Sequence, residues 1–146
     1  MDMSEKQIKN VWLVNKYAMP PKYESRLRTI KFAHYLQQMG YNVTVFGCSI
    51  MHNMNIDLIN DGALYIERRY DDLRFVHVRS LSYQETAGVK RIFSEIQFHY
   101  NLVKVMKKMP KADLIVATTD ALISNPVLNF AHKNGIKYVK EVLDMW

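Results

Sequence analysis

Two short apolar runs with one amphipathic helical pattern between them constrain this chain more than any other feature. "NVWLVN" (residues 10–15) and "YNVTVFG" (residues 41–47) are too apolar to be half-exposed strands, so both read as buried strands. Ser25 is a candidate N-cap, residues 26–39 carry an amphipathic pattern with Phe32, Ala33, Leu36 and Met39 on one face, and Gly40 is a natural stop. Strand, helix and strand joined by short links predict a right-handed parallel crossover.

The rest of the sequence extends that unit. Residues 48–62 read as an irregular loop. "ALYIERRYDDLRFVHVRS" reads as a hairpin, or as two short strands with an antiparallel step, on either side of Asp71 and Asp72. Residues 88–109 form the clearest helical pattern, with Ile92, Phe93, Ile96, Tyr100, Val103 and Met106 as its expected core stripe, and His99 on the rim. Lys107 and Lys108 close it, where cations suit the helix dipole. "ADLIVATT" is a further strand. A helix with Pro126 in its first turn follows and ends at Asn134 and Gly135, and "IKYV" begins another strand. The alternation predicts an α/β domain: a Rossmann-like, doubly wound, mostly parallel sheet with a hairpin insertion, spanning residues 1–146 as one unit.

Bulk composition narrows the setting. Apolar residues make up 49% of the chain, which suits a packed core. No run reaches the roughly 18 apolar residues of a membrane span. The polar start "MDMSEKQIKN" and the single cysteine, Cys48, lead to the expectation of a cytoplasmic protein. A net charge of +6 favours anionic partners without choosing among them, and it equally serves solubility.

In an open parallel sheet, ligands bind beyond the carboxyl ends of the strands. Four segments qualify: 15–25, 47–55, 118–124 and 143–146. The first runs into a helix N-terminus with Lys16, Lys22, Arg26 and Arg28 nearby. Having no glycine, it is not a dinucleotide fingerprint. It reads either as a contact surface for a phosphorylated or polar substrate, or as an ordinary loop with solvated charges. His52 and Asn53, in "HNMN", are candidates to touch substrate. Thr118, Thr119 and Asp120 follow a strand end, where they could bind sugar hydroxyls or cap the next helix. Glu141 and Asp144 bracket the last strand end. No pair among His34, His52, His77, His99 and His132 has metal-ligand spacing with a third donor nearby, so no metal is expected. The aromatics lie at periodic core positions rather than between basic residues, so nucleic acid is not an expected partner.

These segments together resemble a known family. "VWLVNKYAMPPKYESRLRTIKFAHYLQQMGYNVTVF", "HNMN", "GVKRIFSEIQF", "ADLIVATT" and "KEVLDMW" are similar, in order and spacing, to the start of family 4 glycosyltransferases of the retaining GT-B type that build bacterial capsule and O-antigen. The resemblance covers nearly the whole chain. It implies one half of a GT-B fold, the N-terminal acceptor-side domain, with the donor-binding domain absent from these 146 residues and the fragment inactive by itself. It implies a nucleotide-sugar donor, bound mainly by that second domain, and a glycan or polyprenyl-linked acceptor. Peripheral contact with the inner face of the cell membrane is also implied. The site it implies comprises Asn15, Tyr17, Tyr23, Glu24, Ser25, Arg26, His52, Asn53, Thr118, Thr119, Asp120, Glu141 and Asp144. The sequence departs from the family pattern at Glu24, where glycine is frequent, at Leu143, where arginine is common, and at "TTDALI", where relatives often carry a histidine. The alternative is a non-catalytic Rossmann-like module that binds a nucleotide or a protein.

Overall fold

A computed structural model describes residues 7–23, 28–51, 56–80, 89–118 and 125–141. Among them, the elements are β1 (Asn10–Asn15), α1 (Arg28–Gln38), β2 (Asn42–Cys48), β3 (Ile50–Met51), β4 (Ile56–Asp57), β5 (Tyr65–Tyr70), β6 (Leu73–Val78), α2 (Val89–Met106), β7 (Leu114–Thr118), α3 (Asn125–Lys133) and β8 (Lys137–Glu141). Six strands form one sheet in the order β5-β6-β2-β1-β7-β8. All neighbours pair in parallel except β5 with β6. The chain therefore adopts the Rossmann-like α/β architecture that its alternating pattern predicts. No described helix is long and apolar enough to cross a membrane.

Strand periodicity sends alternate side chains to two separate cores. Trp12 and Val14 pack with Phe46, Phe98, Leu102, Ile115 and Phe130, under α2 and α3. Val11 and Leu13 pack with Ile30, Ala33, Val45 and Phe75, under α1. Each fully buried side chain of this size contributes about 1.5–3 kcal/mol. Strand order reverses at β1: one crossover leads through α1 to β2, and a later one leads through α2 to β7 on β1's other side. The switch in strand order thus lies between β1 and β7.

Three local features follow from single residues. Asp71 and Asp72 both have positive φ (49° and 66°), so the β5–β6 hairpin turns through two left-handed residues, which Asp tolerates. Gly135, at φ 66°, ends α3 as expected. Gly47 lies where the chain leaving β1 crosses β2. A Cβ there would stand 2.8 Å from the Ala18 carbonyl oxygen and 3.4 Å from that of Asn15. Both obstacles are backbone, so Gly47→Ala is expected to cost about 1–2 kcal/mol. A drop in Tm of the purified variant checks this, and an unchanged Tm would show that the loop yields freely.

The structure corrects four expectations. Residues 48–62 contain a small antiparallel pair, β3 with β4, because Ile50 and Met51 find partners in Asp57 and Ile56. On α1, Ala33 is buried and Leu36 half-buried, but Phe32 and Met39 are exposed, since the face bearing Ile30 and Ala33 docks instead. On α2 the N-terminal part of the expected stripe is inverted, while Met106 is buried as expected and Val103 is half-buried against the core. Ile92, Phe93, Ile96 and Tyr100 face outward, while Phe98, Leu102, Val105 and Met106 pack inward. His99 lies on this inner face, not the rim, donating from Nδ1 to the Glu95 carbonyl at 2.8 Å.

Candidate functional site

The register brings three polar side chains into one row. Asn15 pairs with Thr118, and Thr118 pairs with Glu141, at the carboxyl ends of β1, β7 and β8. Two-residue periodicity puts all three on the α1 side of the sheet. They stand beside the switch in strand order, the position where open α/β sheets bind ligands.

Side chains from α1 complete the row. Arg28 grips Glu141 with both terminal nitrogens, Nη1 to Oε1 at 2.6 Å and Nη2 to Oε2 at 2.8 Å. The Thr118 hydroxyl donates to Glu141 Oε1 at 2.9 Å. Asn15 Nδ2 donates to the Thr29 hydroxyl at 3.2 Å. The Arg28 guanidinium, more than the Thr118 hydroxyl, holds the Glu141 carboxyl below the usual carboxylate range. Glu141 is therefore an ionised acceptor at neutral pH. Arg28 remains largely exposed, so the ion pair itself contributes little to stability. Lone pairs on Glu141 and N–H groups on Arg28 stay open to a polar ligand.

The loop after β1 is tied down from the opposite side. The Asn15 side chain accepts the Tyr17 N–H at 3.1 Å, an Asx turn. Lys16, read either as a substrate contact or as a solvated charge of this loop, is buried instead. Its ammonium donates to the Ser94 hydroxyl at 2.8 Å and to Glu95 Oε1 at 3.1 Å, both on α2. The Tyr17 hydroxyl donates to the same Glu95 oxygen at 2.7 Å. Tyr17 thus leans toward α2 rather than joining the row with Asn15. Tyr23 is half-buried further along the loop, with its N–H on the Pro20 carbonyl at 2.9 Å and its ring 5.4 Å from the Lys22 ammonium.

Glu24, Ser25, Arg26, His52, Asn53, Thr119, Asp120 and Asp144, also expected at the site, lie outside the described residues. Among the expected residues that are described, the structure gathers Asn15, Thr118 and Glu141. Sequence reasoning treated Arg28 only as general positive charge and did not single out Thr29, Ser94 or Glu95. Glu95 carried one readable signal: it is the lone acid in α2, set among apolar residues.

Cys48 is buried, its Sγ 2.9 Å from the Ser80 hydroxyl, and burial pushes its thiol up from the ordinary value. It is a core residue with little thiolate at neutral pH.

Comparison with known proteins adds the fold. No family model and no curated protein matches the chain. A solved structure, the C-terminal domain of a hydrogenase from Pyrococcus furiosus, superposes with a TM-score of 0.60 over 96% of each chain at 10% sequence identity. The likeness is one of fold. At that identity the shared feature is the layered α/β sheet.

Proposed function

We propose that this α/β unit is the acceptor-side half of a retaining glycosyltransferase that moves a sugar from a nucleotide-sugar donor to a glycan or polyprenyl-linked acceptor. The order and spacing of its segments supports this reading. The observation that carries it is the row of Asn15, Thr118 and Glu141, capped by Arg28, at the carboxyl ends of the strands beside the switch. Hydroxyl, amide, carboxylate and guanidinium groups in that arrangement suit a sugar, whose hydroxyls both donate and accept. The ionised Glu141 would accept from an acceptor hydroxyl. Arg28 would meet an acceptor's phosphate or hydroxyl oxygens while keeping Glu141 charged. Such a unit contributes to transfer by orienting the attacking hydroxyl, and a rigid frame is what orientation needs. Stabilising the departing diphosphate would fall to a second, donor-binding unit, so the 146-residue chain by itself is expected to show no turnover.

A titration followed by amide NMR tests the reading. A short-chain polyprenyl diphosphate-linked monosaccharide should shift the amides of Asn15, Thr29, Thr118 and Glu141. Arg28→Ala and Glu141→Ala should each weaken binding about tenfold, the worth of a charged hydrogen bond. Their stability should change little. Binding of a nucleotide with no response to the acceptor analogue would favour the non-catalytic module. Shifts confined to a distant surface would remove the sugar-transfer reading.

A further inference from the structure

Asn15 stands at one end of the polar row, and the orientation of its amide decides what that end offers a ligand. A backbone N–H can only donate, so the atom that meets the Tyr17 N–H at 3.1 Å is Oδ1. Nδ2 then points toward α1, where it donates to the Thr29 hydroxyl at 3.2 Å. The rest of the row has the reverse polarity. Glu141 accepts, and the Thr118 hydroxyl, which gives its hydrogen to Glu141, has only lone pairs left to offer. From β1 to β8 the strand ends thus run donor, acceptor, acceptor, with the Arg28 guanidinium over the last.

The peptide between Lys16 and Tyr17 sets that orientation, because its N–H is the group that holds Oδ1. The peptide is itself pinned. Its carbonyl accepts the Cys48 N–H from β2 at 3.0 Å. The side chains on either side of it, Lys16 and Tyr17, end on one and the same oxygen, Glu95 Oε1, at 3.1 and 2.7 Å. Lys16 also reaches the Ser94 hydroxyl at 2.8 Å. Successive residues of a strand point to opposite faces, so Glu95 acts from the α2 side of the sheet while Asn15 faces the α1 side. Lys16 and Glu95 are both buried, which keeps water from competing for these bonds.

We propose that Glu95 is a positioning residue for the polar row: through Lys16 and Tyr17 it fixes the Asn15 amide as a hydrogen-bond donor, so that this end of the row selects an acceptor oxygen on the ligand. The ligand's part in this rests on the reading of the row as a sugar site. The hold of Glu95 on Asn15 does not.

NMR of the full chain tests it, first with no ligand present. In the parent, the Asn15 side-chain amide protons should show NOEs to Thr29, and the Tyr17 amide should exchange slowly. Tyr17→Phe removes only the hydroxyl that meets Glu95. It should speed exchange of the position-17 amide about tenfold, the worth of a hydrogen bond to a charged group, and weaken the NOEs to Thr29. Glu95→Gln, which keeps an acceptor oxygen, should move the same signals less. Tyr100→Phe, the same loss of a hydroxyl on the exposed side of α2, should leave them in place. With the acceptor analogue added, Tyr17→Phe should weaken binding about threefold at a Tm close to the parent's. Asn15→Asp keeps an oxygen for the Tyr17 N–H but loses the donor, so it should weaken binding about tenfold. Unmoved Asn15 signals in Tyr17→Phe overturn the proposal, since the Cys48 bond would then hold the peptide by itself. Moved signals with unchanged affinity for the analogue overturn it as well. A parent chain whose Asn15 responds to Tyr17→Phe but which ignores the analogue would sink the transferase reading and leave the hold of Glu95 on Asn15 standing.

Discussion

Lys16→Met should destabilise the protein by about 3–5 kcal/mol, because it strands a buried carboxylate. Lys16 and Glu95 are 6% and 7% exposed at their side chains, 3.1 Å apart. Without the ammonium, Glu95 keeps only the hydroxyl of Tyr17 among the partners described above, and it must either take up a proton or draw in water. Glu95→Gln also leaves the Lys16 ammonium buried without a counter-charge, but it should cost less, since the amide oxygen can still accept from Tyr17 and Lys16 and Ser94 still accepts from the ammonium. The double variant Lys16→Met with Glu95→Gln should lose less than the sum of the two, the mark of directly coupled groups. Urea unfolding followed by the fluorescence of the buried Trp12 measures all three. A loss below about 1 kcal/mol in Lys16→Met would mean that water already solvates the pair, and the tie between loop and helix would be weak.

Acid should unfold the protein through His77. Its ring is fully buried, stacked on Phe75 at 4.9 Å, with Nδ1 donating to the Cys48 carbonyl at 3.4 Å and Nε2 accepting the Tyr70 hydroxyl at 3.1 Å. Every ring nitrogen is thus satisfied in the neutral form. Burial, reinforced by the charge of Arg68 and opposed by the Cys48 carbonyl, pushes the imidazole down to about 4. In the unfolded chain it titrates near 6.5. Between those values the unfolded state binds the extra proton, so stability is complete above pH 6.5 and falls as pH drops toward 4. The loss amounts to about 3 kcal/mol, the shift multiplied by 1.36 kcal/mol per unit. His99 is buried and also shifted downward, so it adds to the same slope. In His77→Phe, which preserves the stacked ring, most of the slope between pH 6.5 and 4 should vanish, with a residue left from His99. An unaltered slope in that variant would place the acid sensitivity elsewhere.

The sheet was readable because its signals are local and redundant. Val11 to Val14, and Val43, Val45 and Phe46, put apolar side chains on both sides, as a strand covered on both faces must, and Gly40 and Gly135 end helices where the chain needs positive φ. Asn15, Thr118 and Glu141 were reachable for a related reason: the carboxyl end of a parallel strand is a definable place once the strands are known. The orientation of α2 was not readable. Ile92, Phe93, Ile96 and Tyr100 make as good an apolar stripe as Phe98, Leu102 and Val105, and periodicity cannot rank two such faces. The choice depends on contacts far apart in sequence, among them Lys16 reaching Ser94 and Glu95. The same long-range pairing hid the fate of Lys16, whose type alone suggests solvent. Arg28 was visible as a charge, but its partner lies 113 residues away.

The unbroken ladder through β1, β7 and β8 acts as a fixed ruler. Adjacent strands stand about 4.8 Å apart, so the backbones of Asn15 and Glu141 are held roughly 10 Å from each other. Sheet hydrogen bonds, not loop conformation, set that span. A molecule touching the backbone at both ends must span that distance, and no change in the surrounding loops can shorten the gap.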